Sequence, residues 1–233
     1  PYILRSILII LYLASPPVYL KLIIILVLTI NIKYLILTVS KRKERQTDMN
    51  LDYVLITHCS PTLAGLKQAS LLCLPRLGNG CTYDKIIEKY NHKYNPKGLY
   101  FRILYTCPQR TLLYVYRPAR VWAYAQRRDI ASFLQQFGYQ DCQDVSALLD
   151  RLAARFAEGG CFPHESGIFL GYPLEDVCGF IANKGNHAKL CGEWKVYGDA
   201  HAAARTFHRY TCCRQDYLDR FAVGTTLDSL IVA

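Results

Sequence analysis

The 233-residue chain carries 28 Lys/Arg against 18 Asp/Glu, a formal charge of +10, and about half of its residues are apolar. That balance excludes a disordered chain and suits one globular domain with an additional segment. Ten cysteines at irregular spacings, none in a CxxC pair, leave a zinc ribbon or a thioredoxin-type site without support, and reduced thiols in a cytosolic protein are expected.

Residues 1–48 differ in composition from the rest. The first 40 are mostly Ile and Leu, without Gly, Asp, Glu or Cys. Two readings stay open. Val18 to Val39 is long enough to cross a bilayer, and the basic run Lys41-Arg42-Lys43-Glu44-Arg45 after it would leave the remainder in the cytosol as a membrane-anchored domain. Alternatively, residues 1–48 are upstream sequence read through in frame, and the protein starts at Met49, the single methionine. Lys21, Asn31 and Lys33 interrupt the apolar run and favour this second reading. A membrane partner is then expected only if residues 18–39 are truly translated. Without 1–48 the remaining residues, 49–233, hold 21 basic and 16 acidic side chains, a net charge of +5. So mild an excess gives no reason to expect nucleic acid as a partner.

Within 49–233 the apolar run 51–57 predicts a strand. Ser60-Pro61 then predicts a helix start, with Ser as N-cap and Pro at the first helical position, and a helix running to Pro75. Residues 78–80 form a loop and 83–94 a helix. Runs 99–106 and 111–117 form a hairpin, with Phe101, Ile103 and Tyr105 on one side. Residues 121–137 are helical, broken near Arg128 and closed at Gly138. Val145, Leu148, Leu149, Leu152 and Phe156 follow the helical period, with Gly159-Gly160 as cap. A strand is expected over 168–172, a helix from Pro173 to Asn183, a strand over 193–197, and a long helix opened by Asp199. The order β-α-α-β-β-α-α-β-α-β-α predicts an α+β fold. It would be a mixed sheet of about five short strands, with helices packed on it, in a single compact domain.

Three stretches, His58 to Lys67, Pro163 to Val177 and Gly192 to Asp199, resemble in order and spacing the bacterial family called domain of unknown function 3793. The resemblance covers about residues 49–233. It implies a domain boundary near Met49 and no chemistry.

Segment 159–199 holds eight of the fourteen glycines among charged and aromatic residues. Such density allows close backbone approach to a ligand or to a neighbouring element. The leading expectation is a cytosolic binding or regulatory module holding a small ligand or protein partner through Gly167, Gly171, Tyr172, Glu175, Asp176, Trp194, Lys195 and Asp199. No motif names a cofactor. The alternative is a thiol-dependent, papain-like hydrolase or transferase. There Cys59, ahead of the predicted helix start, would be the nucleophile, with His164 as its base and Glu165 as an orienting acid. A metal half-site at Cys161 and His164 lacks a second half, and none is expected. Tyr100, Arg102, Tyr114 and Tyr116 on the hairpin could stack bases, but such tyrosines more often pack under a helix. The segments of His164 and Trp194 are expected to lie side by side, as neighbouring strands.

Overall fold

The computed structural model describes residues 51–77, 82–158 and 162–233; the readings made for 1–48, for the loop at 78–80, for Cys161 and for the Gly159-Gly160 cap fall outside them. The first described elements are helix α1 (Leu51–Leu63), strand β1 (Ala69–Pro75), helix α2 (Asp84–Tyr94), and the hairpin of β2 (Tyr100–Thr106) and β3 (Arg110–Tyr116). Helices α3 (Pro118–Ala125), α4 (Arg128–Gln135), α5 (Val145–Ala157), α6 (Ser166–Phe169) and α7 (Leu174–Ala182) follow. Two-residue strands β4 (Leu190–Cys191) and β5 (Lys195–Val196), the long helix α8 (Ala200–Ala222) and a final turn α9 (Leu227–Leu230) complete the chain. The described residues from Leu51 to Ala233 form one compact α+β unit.

Strand β3, rich in Leu, Tyr and Val, lies between β1 and β2, antiparallel to both. Its central place explains why six of its seven residues are buried. Alternation along the strand divides them between two faces. Leu112, Tyr114 and Tyr116 join a core with Val121, Ile130, Phe133, Leu149, Leu152 and Phe169 from the helices that follow. Against the sheet's other components, α1 packs on β1 and α2 packs on β2, where Tyr90 and Tyr94 meet the ring of Phe101. The five described strands match the expected number, but they form two antiparallel sheets of three and two strands rather than one mixed sheet. The expected β2 face also breaks. The register shifts between Ile103 and Tyr105, so Leu104 turns into the core.

The first two elements are exchanged relative to expectation. Residues 51–63 are helical, and 69–75 are a strand. The run Leu51 to Thr57 is apolar around most of the helix, and α1 is buried at eight of its thirteen positions. A segment like that has no period to separate helix from strand. Ser60 and Pro61 close this helix instead of opening the next. The Ser60 hydroxyl donates to the carbonyl of Ile56, and Pro61 sits in the last turn. Gly65, at φ +69°, then takes the left-handed conformation that ends the helix, and the amides of Leu66 and Lys67 bond to the Pro61 carbonyl. Residues 168–172 likewise form the end of α6 and a turn, not a strand.

The ends of these elements meet at Arg117. Its buried guanidinium donates to the carbonyls of Thr62 (2.9 Å), Leu63 (2.7 Å), Val232 (2.7 Å) and Lys97 (3.4 Å). Thr62 and Leu63 are the open carbonyl end of α1, where the helix dipole favours a cation. Burial lowers the Arg117 pKa, but the planar fork stays charged and fits several acceptors at once. Replacing Arg117 with Met is therefore expected to destabilise the domain by about 3 kcal/mol or more, since buried carbonyls lose their donor. Lys at this position should recover little of that, because an ammonium cannot span four carbonyls. Urea unfolding midpoints of the two variants check both statements.

Candidate ligand site

Asp176 lies in the first turn of α7 and is 3% exposed. Its Oδ1 accepts from the backbone N–H groups of Tyr197 (2.7 Å) and Gly198 (2.8 Å), and its Oδ2 from the indole Nε1 of Trp194 (2.7 Å). One carboxylate thus ties the Trp194–Gly198 segment to α7, near a helix end that favours negative charge. Glycines make the approach possible. A β-carbon at Gly179 would overlap the Tyr197 side chain, and one at Gly198 that of Glu175. These glycines serve contact between protein elements.

The fastened indole stacks on Tyr172 with ring centroids 4.9 Å apart and meets Phe207 edge-on at 4.5 Å. The Tyr172 hydroxyl donates to the Glu193 carbonyl, and the Tyr124 hydroxyl to the Tyr172 carbonyl. Beneath, α6 is fixed through its carbonyls. Tyr114 donates to Phe169 (2.6 Å), and the Gln68 amide donates to Ile168 and Phe169. Between α6, α7 and the Trp194 segment lies a cleft of about 600 Å³. It is walled by Phe162, Leu170, Tyr172, Val177, Phe180 and Trp194, with His164, Ser166, Gly167, Asp176, Cys191, Gly192 and Lys195 at its margins. The ring of His164 sits 5.0 Å from that of Phe180, and Lys195 donates to the Gly185 carbonyl (2.7 Å).

Of the residues singled out in sequence, His164, Gly167, Tyr172, Asp176, Trp194 and Lys195 line this cleft. The segments of His164 and Trp194 do adjoin, although only the second contains strand residues. Phe169 is helical while Val196 is in β5. Four others lie elsewhere. Gly171, at φ +81°, packs on the Gln68 side chain. Glu175 faces Gly198 and a groove with Tyr124 and Arg127. Asp199 caps α8, accepting from the Ala202 amide (2.9 Å). Glu165 is buried and accepts from Arg155 Nε (2.8 Å). Phe162 and Phe180 were missed; an aromatic next to a glycine or proline carries no local sign of the cavity it faces.

Cys59 stands differently from its expected role. It lies in the last turns of α1, far along the helix from its N-terminus, and is 0% exposed. Burial, only partly offset by a Ser70 hydrogen bond and the charge of Lys67, pushes its thiol up to about 12. Neither premise of a thiolate nucleophile, a helix N-terminus or a lowered pKa, is met. The hairpin tyrosines Tyr114 and Tyr116 are core residues, and Arg102 pairs with Asp150, so the sheet presents no base-stacking surface there.

Fold and site define a single α+β domain with a half-open cleft walled by aromatic rings. The chain belongs to the family described as protein of unknown function (DUF3793), whose model matches residues 55–231. No curated protein matches the chain, and neither does any solved structure.

Two outcomes are expected from this geometry. Asp176→Asn should lower stability by about 2–3 kcal/mol, because an amide cannot accept three hydrogen bonds as a carboxylate does. It should also shift the emission of Trp194, and fluorescence-monitored urea unfolding reads both. Iodoacetamide at pH 8 should modify the exposed Cys73, Cys191 and Cys212 and spare Cys59 until the chain unfolds. Peptide mapping checks this. An unfolded thiol ionises near 9 and the buried one near 12. The stability gained by keeping Cys59 protonated is therefore intact below pH 9 and is lost as the pH rises toward 12.

Proposed function

We propose that this domain is a binding module for a small molecule with a planar apolar ring, seated in the cleft beside Trp194. The observation that carries this reading is the wall itself. Tyr172, Phe180, Trp194 and Phe162 border a space the size of a small ligand, and Phe162 keeps 51% of its surface exposed at the rim. Sites for small molecules are concave, mostly apolar, and carry few polar groups that fix orientation. Here those groups would be His164 and Ser166, while the bond that the indole N–H donates to Asp176 holds the ring in place for another to pack against. Aromatic packing of this kind contributes about 0.5–1.5 kcal/mol per pair beyond area burial.

Trp122 and Trp194 are the two tryptophans. In a Trp122→Phe background, titration with naphthalene sulfonate is expected to change Trp194 emission saturably. Leu170→Phe, which narrows the cleft, should weaken that binding about tenfold or more without lowering the unfolding midpoint. Emission that does not saturate, or that responds equally in the narrowed variant, would remove the cleft as the binding site.

A further inference from the structure

A second cleft, of about 420 Å³, is bordered by Lys67, Gln68, Arg120, Tyr124, Arg127 and Tyr210. Lys67 is its unusual member. The residue is 9% exposed, yet among the described residues its ammonium has no hydrogen bond and no ion pair. It rests against two aromatic rings, 5.4 Å from the centroid of Tyr172 and 5.9 Å from that of Tyr210. Glu193 acts on it only at longer range, and that carboxylate is already paired with Arg214 at 2.8 Å. Arg127 is likewise paired, with Asp129. Arg120 donates to the Gly65 carbonyl and has no carboxylate partner among the described residues. Lys67 and Arg120 therefore both border one small cleft, and neither is in an ion pair among the described residues.

A buried ammonium without an ion pair is costly, and the two ring contacts with the more distant Glu193 replace only part of its lost hydration. An anion entering the cleft would supply the missing partner. Two cations without a carboxylate partner match a phosphate monoester, which carries roughly −1.5 to −2 near neutral pH and offers three acceptor oxygens. A carboxylate would leave one charge unmet. Tyr124 and Tyr210 offer ring surface to the organic part of the ester. We infer that this cleft binds the phosphate group of a small phosphomonoester, with Lys67 and Arg120 as its cationic donors. The site is distinct from the aromatic cleft, although Tyr172 contributes to that cleft and carries the Lys67 ammonium over its ring.

Isothermal titration of the full chain with phenyl phosphate, inorganic phosphate and benzoate tests the inference. Both phosphates are expected to bind saturably, phenyl phosphate more tightly, and benzoate at least about tenfold more weakly than phenyl phosphate. Lys67→Met should weaken both phosphates about tenfold or more while the unfolding midpoint stays level or rises, because an unpaired buried charge has been removed. Arg120→Gln should weaken them as well. Leu170→Phe should leave them unchanged, which separates this site from the aromatic cleft. Tighter binding of inorganic phosphate than of phenyl phosphate would remove the organic part of the ligand from the proposal. Absence of saturable binding, benzoate binding as tight as phenyl phosphate, or phosphate binding unaffected by Lys67→Met would overturn it. So would a lowered unfolding midpoint in Lys67→Met, which would make the lysine a structural partner of Glu193.

Discussion

The carboxylate of Asp176 is the contact on which the candidate site depends. The segment from Leu190 to Gly198 has little regular structure of its own, a ladder of two residues on each side. An isolated pair that short cannot hold a fixed shape in water. What fixes it is a buried acid on α7 that accepts two backbone bonds and one indole bond. Burying a charge is favourable only when it is fully hydrogen-bonded. The same requirement that satisfies Asp176 therefore orients Trp194, and through Trp194 the ring of Tyr172.

Tyr172 joins the two clefts. Its ring stacks on Trp194 and lies under the Lys67 ammonium, and its hydroxyl and carbonyl bond to the Glu193 and Tyr124 segments. Lys67 itself hangs from the turn that ends α1. That turn is set by Gly65 and held by Arg117, whose guanidinium gathers the α1 terminus and the chain's C-terminal residues. The residues that position the clefts are thus mostly polar side chains bound to backbone groups. Such contacts are directional, and they fix orientation where apolar packing alone would leave several arrangements open.

The hairpin, the two amphipathic helices α4 and α5, and the Asp199 cap of α8 were legible because each is specified by neighbours in sequence. Alternation, helical period and a capping acid are local rules. The start of the domain was not. Leu51 to Thr57 carries apolar residues around most of the helix, so its run suits helix and strand alike, and Ser60-Pro61 carries the chemistry of a helix start at a helix end. Gly65 was the available sign, four residues further on. Residues 168–172 failed for a related reason. An apolar run of three between two glycines is too short for any period, and Gly171 at φ +81° requires a turn.

By itself, then, the sequence determined the α+β class, the family, and the fact that residues around 164–195 gather near one another. Those follow from pattern and composition, which survive without coordinates. Tertiary structure alone decided which glycines serve packing, that Cys59 is sealed in the core, and that Asp176 is a fastener for Trp194. It alone left Lys67 buried beside two rings with, among the described residues, no acid within pairing distance. Each of these depends on residues tens to a hundred positions apart meeting through the fold, and burial and pairing of charge are properties of that meeting, not of any one segment.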